Sequence, residues 1–277
     1  MAGEKRGDYA EVNGVRMYYE VHGAGRPLVL LHGAYMTIDA MGQVLPRLAG
    51  SRQVIAVEQQ GHGRTADADR PITYEGMADD TAALLRHLGI DGADVFGFSM
   101  GGGVALQLAI RHPDLLRKVV VASASYTSDG MQPELHAMVP SITPELFAGS
   151  PIEAEYLAVA PNPGDFPALV EKLKQLDTTP FDWGAESIRE IEAPTLIVVG
   201  DADAITLEHA VEMFRLLGGG GMGDLAGLPK SQLAVLPGTA HFIPPGSGVL
   251  DRHDWLLAII PPFLDAPMPD EPGEEDG

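Results

Sequence analysis

Short unbroken apolar runs alternate along this chain with stretches in which apolar residues recur every three or four positions. The first pattern predicts strands and the second predicts helices. Pro27–Leu31, Gln53–Val57, Ala93–Phe98, Leu116–Ala122, Thr195–Val199 and Gln232–Leu236 are runs of the first kind. Apolarity without alternation suits strands covered on both faces. Tyr9–Val12 and Val15–His22 flank Asn13-Gly14, a dipeptide that favours a hairpin turn. Met77, Ala78, Thr81, Leu84, Leu85 and Leu88 hold helical spacing, with Thr73 as the cap and Gly89 as the stop. Val104–Ile110 and Leu207–Leu217 read as helices, and so does Asp39–Leu48, blemished by Gly42 and Pro46. Leu250–Leu264 reads as the closing helix, with Pro261-Pro262 as a point of early breakage.

Strand–helix alternation of this kind predicts an α/β fold, with a mostly parallel central sheet and helices on both faces. The rhythm stops between Ser125 and Asp182, where no buried-strand run occurs and prolines recur. A structureless loop of that length is uncommon in a compact domain, so residues 125–182 are expected to form a small inserted cap. It would separate two parts of one core, 1–124 and 183–265. Residues 266–277, rich in Pro, Gly, Asp and Glu, are expected to be a disordered acidic tail.

The composition narrows the partners. Of 277 residues, 39 are acidic and 18 basic, a formal charge of −21, so nucleic acid and anionic membrane would both be repelled. The chain has no cysteine, which removes disulfides and thiolate metal sites. Met1–Asp8 is polar with no apolar core of a secretory signal, and no apolar run is long enough to cross a bilayer. A cytoplasmic protein is expected, and its oligomeric state stays open. No metal-ligand constellation and no dinucleotide glycine fingerprint is present, so neither metal nor cofactor is expected.

Chemistry concentrates at Gly97-Phe98-Ser99-Met100-Gly101, between a buried strand and a helical pattern. This is the Gly-x-Ser-x-Gly elbow, in which a serine sits on a strained strand-to-helix turn and flanking glycines let backbones pass closely. The free N–H groups at the start of the helix favour a developing negative charge. Ser99 is thus the candidate nucleophile.

Four landmarks together resemble the α/β-hydrolase family: His32-Gly33 after a strand, the Ser99 elbow, Gly200-x-x-Asp203, and Gly238-x-x-His241. The resemblance runs from about Tyr9 to Leu264 and is weakest in the cap. The Gly-Phe-Ser-Met-Gly-Gly variant resembles bacterial arylesterases and cofactor-free haloperoxidases, and the layout resembles enol-lactonases. Glu58 and Gln60 depart from the Asp and Arg that the loop around Gly61-His62-Gly63-Arg64 often carries in the family. The family's dehalogenases and epoxide hydrolases use an aspartate nucleophile, and Ser99 counts against both.

A serine hydroxyl needs a base to take its proton. His241 is the candidate, since it follows the last strand, where strand ends converge on a ligand-binding rim. His22, His87, His112, His136, His209 and His253 read as surface or core residues, His32 as a loop brace, and His62 and Arg64 as structural. Asp203, at the family's Gly-x-x-Asp position, would orient the imidazole, with Asp201 competing for that role. The N–H groups of Met100 and Ala34 would form an oxyanion hole. Tyr35, Met131, Met138 and Phe242 are the candidate substrate-binding residues. The expected activity is cofactor-independent hydrolysis of a small apolar carboxylic ester or lactone through an acyl-enzyme. A perhydrolase-like activity and a non-catalytic binding protein are the alternatives.

Overall fold

The computed structural model describes residues 6–242 and 246–268. The expected acidic tail falls largely outside the described residues. Eight strands form one sheet among them: β1 (Arg6–Val12), β2 (Val15–His22), β3 (Arg26–Leu31), β4 (Arg52–Val57), β5 (Ala93–Phe98), β6 (Leu116–Ala122), β7 (Thr195–Ala202) and β8 (Gln232–Ala240). Their order across the sheet is β1-β2-β4-β3-β5-β6-β7-β8. β1 and β2 pair antiparallel through the Asn13-Gly14 turn, where both residues have positive φ, and β2 is antiparallel to β4. All further pairings are parallel.

The helices follow in chain order as α1 (Val44–Leu48), α2 (Tyr74–His87), α3 (Met100–Arg111), α4 (Pro133–Met138), α5 (Pro151–Val159), α6 (Phe166–Thr178), α7 (Ala185–Arg189), α8 (Leu207–Leu216), α9 (Gly223–Ala226) and α10 (His253–Asp265). Side-chain alternation along the strands divides the core into two layers. Val29, Leu31, Val95, Val119, Val121, Ile197 and Val199 join α2, α3, α6 and α8. Leu28, Leu30, Phe96, Val120, Leu196 and Val198 join α1 and α10 on the opposite face. Each fully buried Val or Leu contributes roughly 1.5–3 kcal/mol, so these runs had to become central strands.

Three elements differ from the sequence-based expectation. Asp39–Leu48 is two pieces, a 3₁₀ turn over Ile38–Met41 and α1, because Gly42 adopts φ 51° between them. α10 runs through Pro261-Pro262 to Asp265. Burial of Ile260, Phe263 and Leu264 holds it on the sheet, and Arg117 and Lys118 donate to the carbonyls of Phe263, Leu264 and Ala266 at its end. β7 passes Gly200 and reaches Ala202, with a register irregularity between Gly200 and Ala202 that lets Ala202 pair with Ala240.

Between β6 and β7 the chain makes α4, α5, α6, α7 and short 3₁₀ turns, with an isolated bridge between Thr127 and Asp182 at the base of the part before α7. Leu169, Val170 and Leu173 of α6 are buried, and the Tyr35, Phe147, Phe166 and Tyr156 rings lie in successive contact. No helix among the described residues is long and apolar enough to cross a membrane.

Candidate active site

Ser99 follows β5 directly and caps α3 with φ 55° and ψ −120°. An L-residue enters this region only where its surroundings impose it, and two close backbone approaches impose it here. A Cβ at Gly97 would lie 2.0 Å from the Gly101 carbonyl oxygen, and a Cβ at Gly101 would lie 2.4 Å from the Leu31 carbonyl oxygen. The two glycines therefore let α3 start directly beneath the strand ends. The turn is secured by the Ser99 N–H donating to Ala122 O at 2.8 Å and by Gly102 N–H donating to Ser99 O at 2.8 Å.

His241, just past β8, lies 2.9 Å from Ser99 Oγ through Nε2, and its Nδ1 lies 2.7 Å from Asp203 Oδ1. With Asp203 ionised, Nδ1–H donates to the carboxylate, which leaves Nε2 to accept from the serine hydroxyl. The Phe98 ring stacks on the imidazole at 5.2 Å between centroids. Asp203 is buried, and Ser123 Oγ at 2.6 Å and Gly200 N–H at 2.9 Å donate to its other oxygen. Burial alone would push its pKa up. The hydrogen bond and charge of His241, then Ser123 and Gly200, outweigh burial and hold it below the ordinary carboxylate value.

Asp201 has a different place. It is exposed, and its two oxygens accept the Thr239 and Gly238 N–H groups, each at 2.9 Å, so it braces the end of β8. The structure thus brings together Ser99, His241 and Asp203 and leaves Asp201 bonded to backbone N–H groups of β8. A hydroxyl, an imidazole and a buried carboxylate in this order can move the hydroxyl proton to the ring and stabilise the imidazolium that forms.

Beside this chain of groups lies a cavity of about 680 Å³ lined by Ala34, Tyr35, Ser99, Met100, Met131, Met138, His241 and Phe242 among others. Every residue named from the sequence for the oxyanion hole or for substrate contact is on its wall. Tyr35 has φ 64°, and its N–H donates to His62 Nε2 at 3.3 Å. His32 and His62 are buried with their rings 4.9 Å apart. His32 Nε2 accepts from Gln59 N–H, and the Nδ1 atoms of the two rings contact Gly33 O and Gln60 O. Burial lowers the His32 pKa to about 4, and burial together with the His32 charge lowers that of His62 to about 3. Both rings brace loops, as the sequence implied, and Arg64 pairs with buried Glu58.

Two polar residues at the site escaped sequence reasoning. Ser123 follows β6 on the rim and has φ 54°, so its position after a buried run was the available signal. Asp177 sits on α6 and faces the cavity. Nothing in Lys172–Thr178 separates it from an ordinary solvated helix position. Burial raises its pKa to about 6, with His241 opposing.

An eight-stranded, mostly parallel sheet with a serine on the elbow after its fifth strand defines the α/β-hydrolase architecture. The chain belongs to that family: the model described as "Alpha/beta hydrolase family" matches residues 28–259. It is 38% identical over 119 residues to the 2-hydroxymuconate semialdehyde hydrolase of Pseudomonas sp. strain CF600, a match covering 42% of this chain and 42% of that protein. Among solved structures it is similar to Est816, described as an N-acyl homoserine lactone degrading enzyme, with a TM-score of 0.69 at 24% identity over 92% of this chain and 100% of that one. It is also similar to carboxylesterase CesB from Bacillus subtilis, with a TM-score of 0.72 at 16% identity over 96% of this chain and 93% of that one. At such identities the two structural likenesses concern the fold.

Proposed function

We propose that the protein hydrolyses a small carboxylic ester or lactone through an acyl-enzyme formed on Ser99. The observation that carries this reading is the run of short contacts from Ser99 Oγ to His241 to Asp203, at 2.9 and 2.7 Å, beside an apolar cavity. Ser99 Oγ attacks the substrate carbonyl carbon while His241 Nε2 takes its proton. The carbonyl oxygen becomes an oxyanion held by the N–H groups of Met100 and Ala34. His241 then gives the proton to the departing alkoxide, water enters, and the same imidazole activates it to release the acid. Asp203 fixes the tautomer throughout. In this reading residues 125–182 are the cap over the reacting carbonyl. Est816, described as a lactone-degrading enzyme, and the carboxylesterase CesB share the fold on which this chemistry would run.

The test is Ser99→Ala. Hydrolysis of a short p-nitrophenyl ester should fall on the order of 10⁴–10⁶-fold in kcat, with an unchanged melt. A fluorophosphonate probe should label the wild type at Ser99 and leave the variant unlabelled. A variant that keeps a tenth of the activity removes Ser99 as nucleophile. A wild type that releases no nitrophenol above the uncatalysed rate points to a binding protein.

A further inference from the structure

Three polar groups on cavity-lining residues have no partner among the described residues. The Asp177 carboxyl lines it, and no hydrogen bond or ion pair among the described residues reaches that carboxyl. The Ser125 hydroxyl, on a residue only 3% exposed, is buried without a partner, and so is the Tyr35 hydroxyl; both residues line the same cavity. An unpaired buried hydroxyl costs about 1–3 kcal/mol, and an unpaired carboxylate costs more. The oxygens of the two hydroxyls are covered, whereas the Asp177 carboxyl lines the open cavity and marks a place for a donor that arrives with a ligand. Tyr35, Tyr74, Ser99 and His241 line the same cavity as Asp177. Burial and then the charge of Asp177 raise the Tyr35 and Tyr74 pKa values, and His241 opposes the rise at Asp177 itself. The subsite therefore belongs to the reacting part of the cavity.

The sign of the charge sharpens the inference. Among the described residues no lysine or arginine lines the cavity, whereas Asp177 and Glu134 do. The chain as a whole carries −21. A carboxylate placed beside Asp177 would meet a like charge and no lysine or arginine; the histidines on the wall are His136, engaged with the Ser128 carbonyl, and His241 beside Ser99. A group with an N–H or O–H to give would instead satisfy Asp177. A secondary amide supplies such an N–H without a charge.

We propose that Asp177 is a specificity subsite that accepts a hydrogen-bond donor on the substrate, such as an amide N–H, and excludes substrates bearing a carboxylate. This rests on the reading that the scissile carbonyl sits at Ser99. The donor group lies on the acyl side or alcohol side close to that carbonyl, and the remainder of the substrate is apolar.

Three esters of matched acyl length separate the possibilities: p-nitrophenyl hexanoate, p-nitrophenyl N-acetyl-β-alaninate and mono-p-nitrophenyl adipate. Their affinities for Ser99→Ala are measured by calorimetry at about pH 8, where Asp177 is ionised. The amide ester should bind about tenfold or more tighter than the hexanoate, and the adipate about tenfold or more weaker. Adding Asp177→Leu should bring the three within about threefold of one another. Asp177→Asn, isosteric with the native residue, should relieve the penalty on the adipate while keeping part of the amide preference. It also carries the test if the leucine variant does not fold. Unchanged ratios in these variants, or an equal loss for all three esters, would overturn the subsite. The turnover of the same esters by wild type reads the reaction separately. Ordered binding without turnover sinks the hydrolase reading and keeps the subsite; turnover with no dependence on Asp177 does the reverse.

Discussion

The strand-end rim and the helical segment between β6 and β7 wall the same cavity, but they hold their side chains by different means. On the rim, Ser99 and Asp203 follow the buried strands β5 and β7, and His241 follows the more exposed edge strand β8. Ser99 is tied to Ala122 O, Asp203 is held by Gly200 N–H and Ser123, and Asp201 pins Gly238 and Thr239 just ahead of His241. The helical segment has no ladder to fix it. It is held by ring contacts and by the apolar face of α6, while Met138, Leu146 and Leu157 stay 52%, 66% and 44% exposed. Geometry that must hold to a fraction of an ångström sits where a shift would break several hydrogen bonds at once. If the helical segment selects among substrates, as proposed, it does so where packing can yield at little cost.

The largest effect that separates the two regions is expected from Asp203→Asn. Its fold should survive, but the imidazole would be held in the wrong tautomer and kcat should fall about 10⁴-fold. The same change at Asp201 should cost less than about tenfold, because that carboxylate only braces backbone. kcat and melting temperature for both variants check this, and an inactive Asp201→Asn with an unchanged melt would exchange the two assignments.

Acid should act on the rim next. His32 and His62 have folded pKa values of about 4 and about 3 against an ordinary 6.5. Below pH 6.5 the unfolded chain therefore binds more protons. The stability these rings contribute is complete above that pH and is lost as pH falls toward 4, by a few kcal/mol. Melting temperatures between pH 6.5 and pH 4 should fall more steeply for wild type than for His62→Gln. Parallel curves would remove this pair as the acid-sensitive element. The ordinary 6.5 is the value from which both shifts are counted.

The smallest effect is expected in the helical segment. Met131→Ala should change the preference among acyl lengths by about 10–200-fold at most, the range for pocket changes of methylene scale. It should do so with nucleophile labelling intact. A loss of labelling would mean that Met131 supports the rim, consistent with its bridge to Ile205, rather than the substrate.

Much of this was written in the chain itself. Unbroken apolar runs set the buried strands, since no other arrangement hides them on both sides. Gly97 and Gly101 around Ser99 set the elbow, because only glycine permits the 2.0 Å and 2.4 Å approaches of a would-be Cβ. Asn13-Gly14 set the hairpin. Tertiary structure decided what depends on distant partners. The passage of α10 through Pro261-Pro262 rests on burial of Phe263 and Leu264 and on donors from β6. Asp203 and Asp201 lie two residues apart on one loop, and only the paths of β7 and β8 turn the first toward His241 and the second toward Thr239. Asp177 is one acidic residue among many on a helix with a polar side. Its exposure to the cavity instead of to solvent comes from how α6 packs over the sheet, and no local pattern encodes that.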